Sequence, residues 1–190
     1  MAKKFTAKNL LKKGVPNVLI PGLLLAALLG WKGISQIKNY YDYKKLFPSS
    51  GVVEAIQDGD TFTLVGGIKV RLIGINAPDR GQKGYLDAAK YLNNQLTNNR
   101  VFLEYDRYQD DKYGRVLAWV WIDCETTPKF LPHDYMWLSG NSSRPGLTEN
   151  PEGCKKGKLV NEELVRSGLA SPVVYADRGP TKYEARLKLR

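Results

Sequence analysis

Histidine is nearly absent from this chain: His133 is the only one in 190 residues. That excludes a multi-histidine zinc site, and two cysteines, Cys124 and Cys154, are too few for a four-cysteine one. No serine stands in a G-x-S-x-G setting, and neither a P-loop nor a G-x-G-x-x-G signature occurs. No nucleotide cofactor is therefore expected. Internal repeats are missing, as is any low-complexity tract beyond the N-terminal segment. What remains is a set of carboxylates, a few other oxygens and two well-placed arginines. Such a set suits a hard cation such as Ca2+. It also suits electrostatic stabilisation of a phosphorane-like transition state, with a carboxylate activating water.

Acidic charge is scarce at one end only. Residues 1–45 hold nine lysines against Asp42 alone, whereas the other 145 residues hold 20 basic and 18 acidic residues. The net charge of +10 therefore describes mostly the N-terminal arm, and a nucleic-acid site in the remainder must be local. Within the arm, Gly14–Trp31 is an uncharged run of 18 residues bounded by Lys13 and Lys32. It reaches the lower end of what spans a bilayer, about 17–25 residues. The expected organisation is a basic arm at 1–13, a transmembrane helix or signal anchor at 14–31 and a basic, tyrosine-bearing juxtamembrane linker at 32–50. The linker lysines suit anionic lipid or phosphates equally. A cleaved signal peptide is the competing reading, although no clean small-x-small cleavage site follows Leu29. Five lysines before the run and four after it lean only slightly towards a cytoplasmic N-terminus.

Residues 51–190 read as one domain, with an irregular insertion at about 123–158. The segment Asp58–Asp79, DGDTFTLVGGIKVRLIGINAPD, holds two β-rich runs, Thr61–Val65 and Ile68–Ile75. Gly66-Gly67 is expected to join them as a two-residue hairpin link. That link sets Phe62 opposite Arg71 and Asp60 opposite Ile73, with Thr61, Thr63, Val65, Ile68, Val70 and Leu72 on the core face. Asp60 and Arg71 then become diagonal neighbours on the other face, about 7–8 Å apart at Cβ. Such a pair can hold a cation and a phosphate together, and it can equally be a strand-end salt bridge. Further strands are expected at Val52–Ile56, Val101–Tyr105 and Arg115–Ile122. Helices are expected at Tyr85–Asn98, from Asn161 as N-cap to Gly168, and at Lys182–Arg190. Five short strands with interspersed helices predict an α+β fold built on a Greek-key barrel of the OB type. Cys124 and Cys154 bracket the insertion. Oxidised, they would close a loop of roughly 30 residues, a staple of about 3–4 kcal/mol in the chain-entropy view; two free thiols are the equal alternative. Asn141-Ser142-Ser143 is a glycosylation sequon by letter.

Four blocks stand in one order: DGDT at 58–61, VRLIGINAPD at 70–79, DKYGR at 111–115 followed by VLAWV, and VNEELVRSGLA at 160–170. In order and spacing they resemble the staphylococcal nuclease (thermonuclease) family, over roughly residues 51–176. The resemblance implies an OB-fold five-stranded barrel with three helices that carries a Ca2+-dependent phosphodiesterase acting on DNA and RNA. It implies Asp60 and the backbone carbonyl of Thr61 as calcium contacts. Arg71 and Arg115 would hold the scissile phosphate, and Asp79 would be the general base. Asn76 stands where the family usually has Asp, and Asp79 where it has Glu. Asn76 keeps a ligand oxygen but loses a charge, and Asp79 reaches one methylene less far. Tyr113 and Tyr175 are the candidates for lining a nucleotide pocket, with loop architecture the other reading of Tyr113. The chain is expected to act as a monomer. The rival expectation is a catalytically weak or inactive OB module, tethered to a membrane, that binds nucleic acid or a protein partner.

Overall fold

The computed structural model describes residues 22, 25–34, 37, 47–130, 153–175 and 179–188. The chain divides into two compact units, Met1–Lys45 and Leu46–Arg190. In the first, residues 25–34 are helical and exposed. Among the described residues no helix is long and apolar enough to cross a membrane. The basic arm at 1–13 and most of the span expected at 14–31 lie outside them, as do His133, the sequon at Asn141 and most of the insertion.

The second unit is a barrel. Strands β1 (Ser50–Ile56), β2 (Thr61–Leu64) and β3 (Lys69–Leu72) form an antiparallel meander. A two-residue strand β4 (Ile75–Asn76) follows, then helix α1 (Tyr85–Leu96) and strands β5 (Arg100–Glu104) and β6 (Val116–Ile122). The chain ends with β7 (Lys158–Leu159), α2 (Val160–Arg166), β8 (Ser171–Pro172) and α3 (Glu184–Lys188). The main sheet has the order β3-β2-β1-β5-β6-β7, and a parallel pairing of β3 with β6 closes it on itself. Five strands therefore make the OB-type barrel. β7 pairs antiparallel with the end of β6, and β4 pairs separately with β8.

Hydrophobic pattern explains the arrangement. β6, VLAWVWI, is buried at six of its seven positions, because the barrel interior lies on one side and α2 packs on the other. Along α1, Ala88, Leu92 and Leu96 form the buried stripe expected of a helix lying on a barrel. Cys124 and Cys154 are disulfide-bonded, with Cα atoms 4.9 Å apart, which closes the insertion at the end of the β6–β7 ladder.

Three expectations are corrected. The β2–β3 hairpin turns through three residues, Val65-Gly66-Gly67: Gly67 N–H donates to the Leu64 carbonyl, and both glycines have positive φ. The register slips by one, so that Thr61 faces Arg71 and Phe62 faces Val70. The slip places Phe62 and Leu64, not Thr61, Thr63 and Val65, on the core face with Val70 and Leu72. Apolar side chains then meet apolar ones across the ladder, which is the force that sets register when one face is buried. Second, the run Ile68–Ile75 is two strands. The chain bends at Gly74, where φ is 77° and an added Cβ would lie 2.7 Å from the Trp119 ring. Third, Asn161 does not cap α2 through its side chain; Leu159 takes the N-cap position. Fully buried, Asn161 accepts the Val120 N–H at 2.9 Å and donates to the Ile73 carbonyl at 2.8 Å. It thus supplies the hydrogen bonds that β3 and β6 cannot give each other where they diverge.

Candidate active site

The bend Asp58-Gly59-Asp60 leads into β2, and its tightness is enforced by Gly59. A Cβ there would lie 2.5 Å from that of Ala88 and 2.7 Å from that of Ala77. Only glycine lets this turn press against both α1 and the loop after β4. Asp58 Oδ1 accepts the Asp60 N–H at 3.0 Å, a local bond that turns the chain. Asp60 lies in the bend just before β2, with its carbonyl accepting the Leu72 N–H at 2.9 Å, and its carboxylate reaches Arg71 despite the slipped register. Its carboxylate is buried and fully engaged. Oδ2 accepts the Ala77 N–H at 2.8 Å, while Oδ1 takes the Thr61 hydroxyl at 3.1 Å and an ion pair with Arg71.

Arg71 projects from β3 and also donates to Asn76 Oδ1 at 2.8 Å and to the Ile75 carbonyl at 3.4 Å. Its guanidinium thus bridges Asp60 and Asn76. Burial, and then the neighbouring charge of Arg115, lowers the Arg71 pKa, with Asp58, Tyr175 and Asp111 acting in the other direction.

Arg115 stands at the mouth of β6 and is oriented by Asp111. The turn DKYGR wraps around the Asp111 carboxylate: Oδ1 accepts the Tyr113 and Arg115 N–H groups at 2.9 and 3.1 Å, and Oδ2 accepts Arg115 Nε at 2.7 Å. Burial pushes the Asp111 carboxyl up, but the bonds from Arg115 and Tyr113 outweigh it and hold the carboxyl below its usual range. From that anchor Arg115 Nη1 reaches the Thr61 hydroxyl at 3.4 Å.

These groups open onto one cavity of about 450 Å³, lined by Asp58, Asp60, Arg71, Asn76, Asp79 and Arg115 among others. Asp79 is exposed. Its backbone is fixed by Gln82, which accepts the Asp79 N–H and donates its own N–H to the Asp79 carbonyl, each at 2.9 Å. Among the described residues its carboxylate has no hydrogen-bond or ion-pair partner. The structure therefore brings together Asp60, Arg71, Asn76, Asp79 and Arg115, with Thr61 linking Asp60 to Arg115. Tyr113 and Tyr175 are not on the cavity wall. Tyr113 is exposed and lies against Arg115, 5.3 Å from its guanidinium carbon, and Tyr175 packs against Tyr108 with ring centroids 6.1 Å apart. Asp111, which stands in the DKYGR block but was not among the candidate site residues, is what orients Arg115. The signal was present: a carboxylate four residues before an arginine across a glycine turn.

The donor set suits a hard cation only in part. Asp60 and Asn76 offer side-chain oxygens, both turned to Arg71, whereas the Thr61 carbonyl already accepts N–H groups from Gln57 and Asp58. Among the described residues no three His, Cys, Asp or Glu side chains cluster closely enough to hold a metal ion. A calcium ion takes 6–8 oxygens. Here water and substrate would supply most of them, and Arg71 would have to leave the two side chains.

The staphylococcal nuclease homologue family matches residues 69–189. A relative is the thermonuclease of Staphylococcus intermedius, 41% identical over 128 residues that cover 60% of this chain and 74% of that protein. Another is the thermonuclease of Staphylococcus hyicus, 35% identical over 77 residues, which cover 36% of this chain and 46% of that protein. The closed OB-type barrel, the cavity lined by both arginines and carboxylates and the match across most of the barrel agree: this chain belongs to the staphylococcal nuclease homologue family.

Proposed function

We propose that this chain is a phosphodiesterase, an endo- or exonuclease that hydrolyses DNA, RNA or both, aided by Ca2+ and tethered to a membrane by residues 14–31. The observation that carries the reading is the shared cavity: two guanidiniums, each oriented by its own carboxylate, face an unpartnered carboxylate on Asp79. A phosphodiester between Arg71 and Arg115 has its oxygens met by planar N–H donors, which stabilise charge best where it builds up in the transition state. Asp79 takes a proton from a water whose oxygen bonds to phosphorus, and the ester oxygen on the far side departs and is protonated from solvent. Asp60 and Asn76 would hold the divalent ion, which when bound supplies further neutralisation of the phosphate oxygens. Arg71 then changes partner, from these two residues to the phosphate. The membrane reading rests on the uncharged run at 14–31 alone, and monomeric action on the cavity being built from one chain.

A second reading has its own observation. Arg71 satisfies Asp60 and Asn76 internally, as a resident cation would. A module locked in that state binds nucleic acid or a partner without hydrolysing it. Cleavage of single-stranded DNA and RNA by the full chain, with Ca2+ and with chelator, separates the two. Calcium-dependent cleavage supports the enzyme; binding without cleavage supports the module. Flotation of the same chain with lipid vesicles tests the anchor, and recovery in the lipid-free fraction would count against it.

A further inference from the structure

Three arginines line the cavity, and they are held differently. Arg71 is tied to Asp60, Asn76 and the Ile75 carbonyl. Arg115 is tied to Asp111 and Thr61. Arg80 is exposed and has no hydrogen-bond or ion-pair partner among the described residues. It is the one of the three that can accept an anion without leaving another described residue.

Its backbone, in contrast, is placed. The two hydrogen bonds between Asp79 and Gln82 close the turn that carries residue 80. The same loop is fastened to the barrel through the Ala77 N–H on Asp60. Arg71 and Arg115 come from β3 and the mouth of β6, line the same cavity, and are linked through Asp60 and the Thr61 hydroxyl, so the phosphodiester reading sets one phosphate between them. Arg80 comes from the loop between β4 and α1, next to Asp79 at the cavity rim.

We propose that Arg80 is a substrate-selecting residue: it holds a phosphate neighbouring the one between Arg71 and Arg115, and so favours strands with several phosphates over a single phosphodiester. This inference rests on the phosphodiester reading of the cavity. An exposed guanidinium reading backbone phosphate adds affinity and salt dependence without sequence preference.

The test uses the full chain and two probes, a fluorescent twelve-nucleotide thymidine strand and the dinucleotide TpT, which has one phosphate. In chelator, so that no cleavage occurs, binding of the strand is measured against salt concentration for the native chain, Arg80→Ala and Arg80→Lys. The slope of log affinity against log salt is expected to fall in magnitude by about 0.7 in Arg80→Ala, the value for one fewer phosphate neutralised on a single strand. Arg80→Lys, which keeps the charge, is expected to retain the slope. With Ca2+, the native chain's preference for the strand over TpT, as a ratio of kcat/KM, is expected to shrink in Arg80→Ala through KM. An unchanged slope, or an equal loss on both probes, overturns the proposal. The two levels fail separately. If the native chain cleaves nothing, the phosphodiesterase reading falls while the binding slope still reports on Arg80. If it cleaves and Arg80→Ala matches it in slope and preference, only the Arg80 assignment falls.

Discussion

Two clusters of buried charge sit on opposite sides of this barrel's logic. Beneath α3, Glu104 accepts Trp121 Nε1 and the Tyr183 hydroxyl on Oε2, each at 2.9 Å, and an ion pair from Lys182 on Oε1. Beside it Asp106 accepts Trp119 Nε1 at 2.9 Å and the Lys182 N–H. Each carboxylate oxygen described there has a donor, and the Trp119 and Tyr183 rings pack edge to face over them. The cavity cluster has Asp60 buried and well bonded, yet it continues outward to Asp79 and Arg80, whose side chains have no hydrogen-bond or ion-pair partners among the described residues. The difference separates two uses of buried charge. A saturated network fastens a helix to a barrel, whereas one left open at its rim retains groups that can meet a substrate.

Substitutions can break that contrast. The largest effect is expected at Glu104. Glu104→Ala strands Lys182 and two ring donors at the α3 interface and should cost about 3–5 kcal/mol in urea unfolding. Cleavage per folded molecule should stay within a few-fold, and a selective loss of cleavage would show that the two clusters are not separate. Asp79→Asn should do the opposite. Hydrolysis should fall by about 10²–10⁴-fold, the usual worth of a positioned base, with the melting temperature unchanged. Asp111→Asn should come next. Arg115 loses its charged anchor, and a drop of about tenfold in kcat is expected from a mis-set guanidinium. Because Asp111 is held below its ordinary value of 3.8, the stability it contributes is present above pH 3.8 and is lost as pH falls below it. The native chain should therefore lose more stability than Asp111→Asn on acidification through that range.

Tyr183 offers the smallest and most diagnostic change. Burial first, then the Glu104 charge and the hydrogen bond to it, raise its pKa far above the ordinary value of 10.0. A raised acid stabilises the fold while it stays protonated. That contribution is complete below pH 10 and declines as the unfolded chain ionises above it. Tyr183→Phe should cost about 1–2 kcal/mol at neutral pH, and the gap to the native chain should narrow between pH 10 and 11 in denaturant titrations. A constant gap would contradict the assignment of this hydroxyl to the saturated network.

Local pattern carried the strands of the barrel, and the four blocks carried the groups that line the cavity. Asp60, Arg71, Asn76, Asp79 and Arg115 are legible because each sits in one of the short blocks that resemble the family, whereas the hairpin pattern alone suggested only the pair of Asp60 and Arg71. The β2–β3 register was not legible from Gly66-Gly67. Two adjacent glycines serve a two-residue link or the end of a three-residue one, and only the burial of Phe62 and Leu64 decides between them. The roles of Asn161 and Glu104 were equally hidden. Asn161 meets Ile73 across 88 positions, and Glu104 meets Tyr183 across 79. Contacts at such separations follow from how the barrel closes, which no local periodicity encodes. The bridge from Arg71 to Asn76 lies between these cases: the two residues are close in sequence, but the bend at Gly74 is what turns one towards the other.

The most direct measurement is hydrolysis of single-stranded DNA by the full chain in Ca2+, beside Arg115→Ala, with both shown to be folded by circular dichroism. The account predicts cleavage by the native chain and a loss of about 10²–10³-fold in the variant, the scale of removing a donor aimed at transition-state charge. Equal rates for the two proteins, or no cleavage by a folded native chain, would contradict a cavity built for phosphodiester hydrolysis.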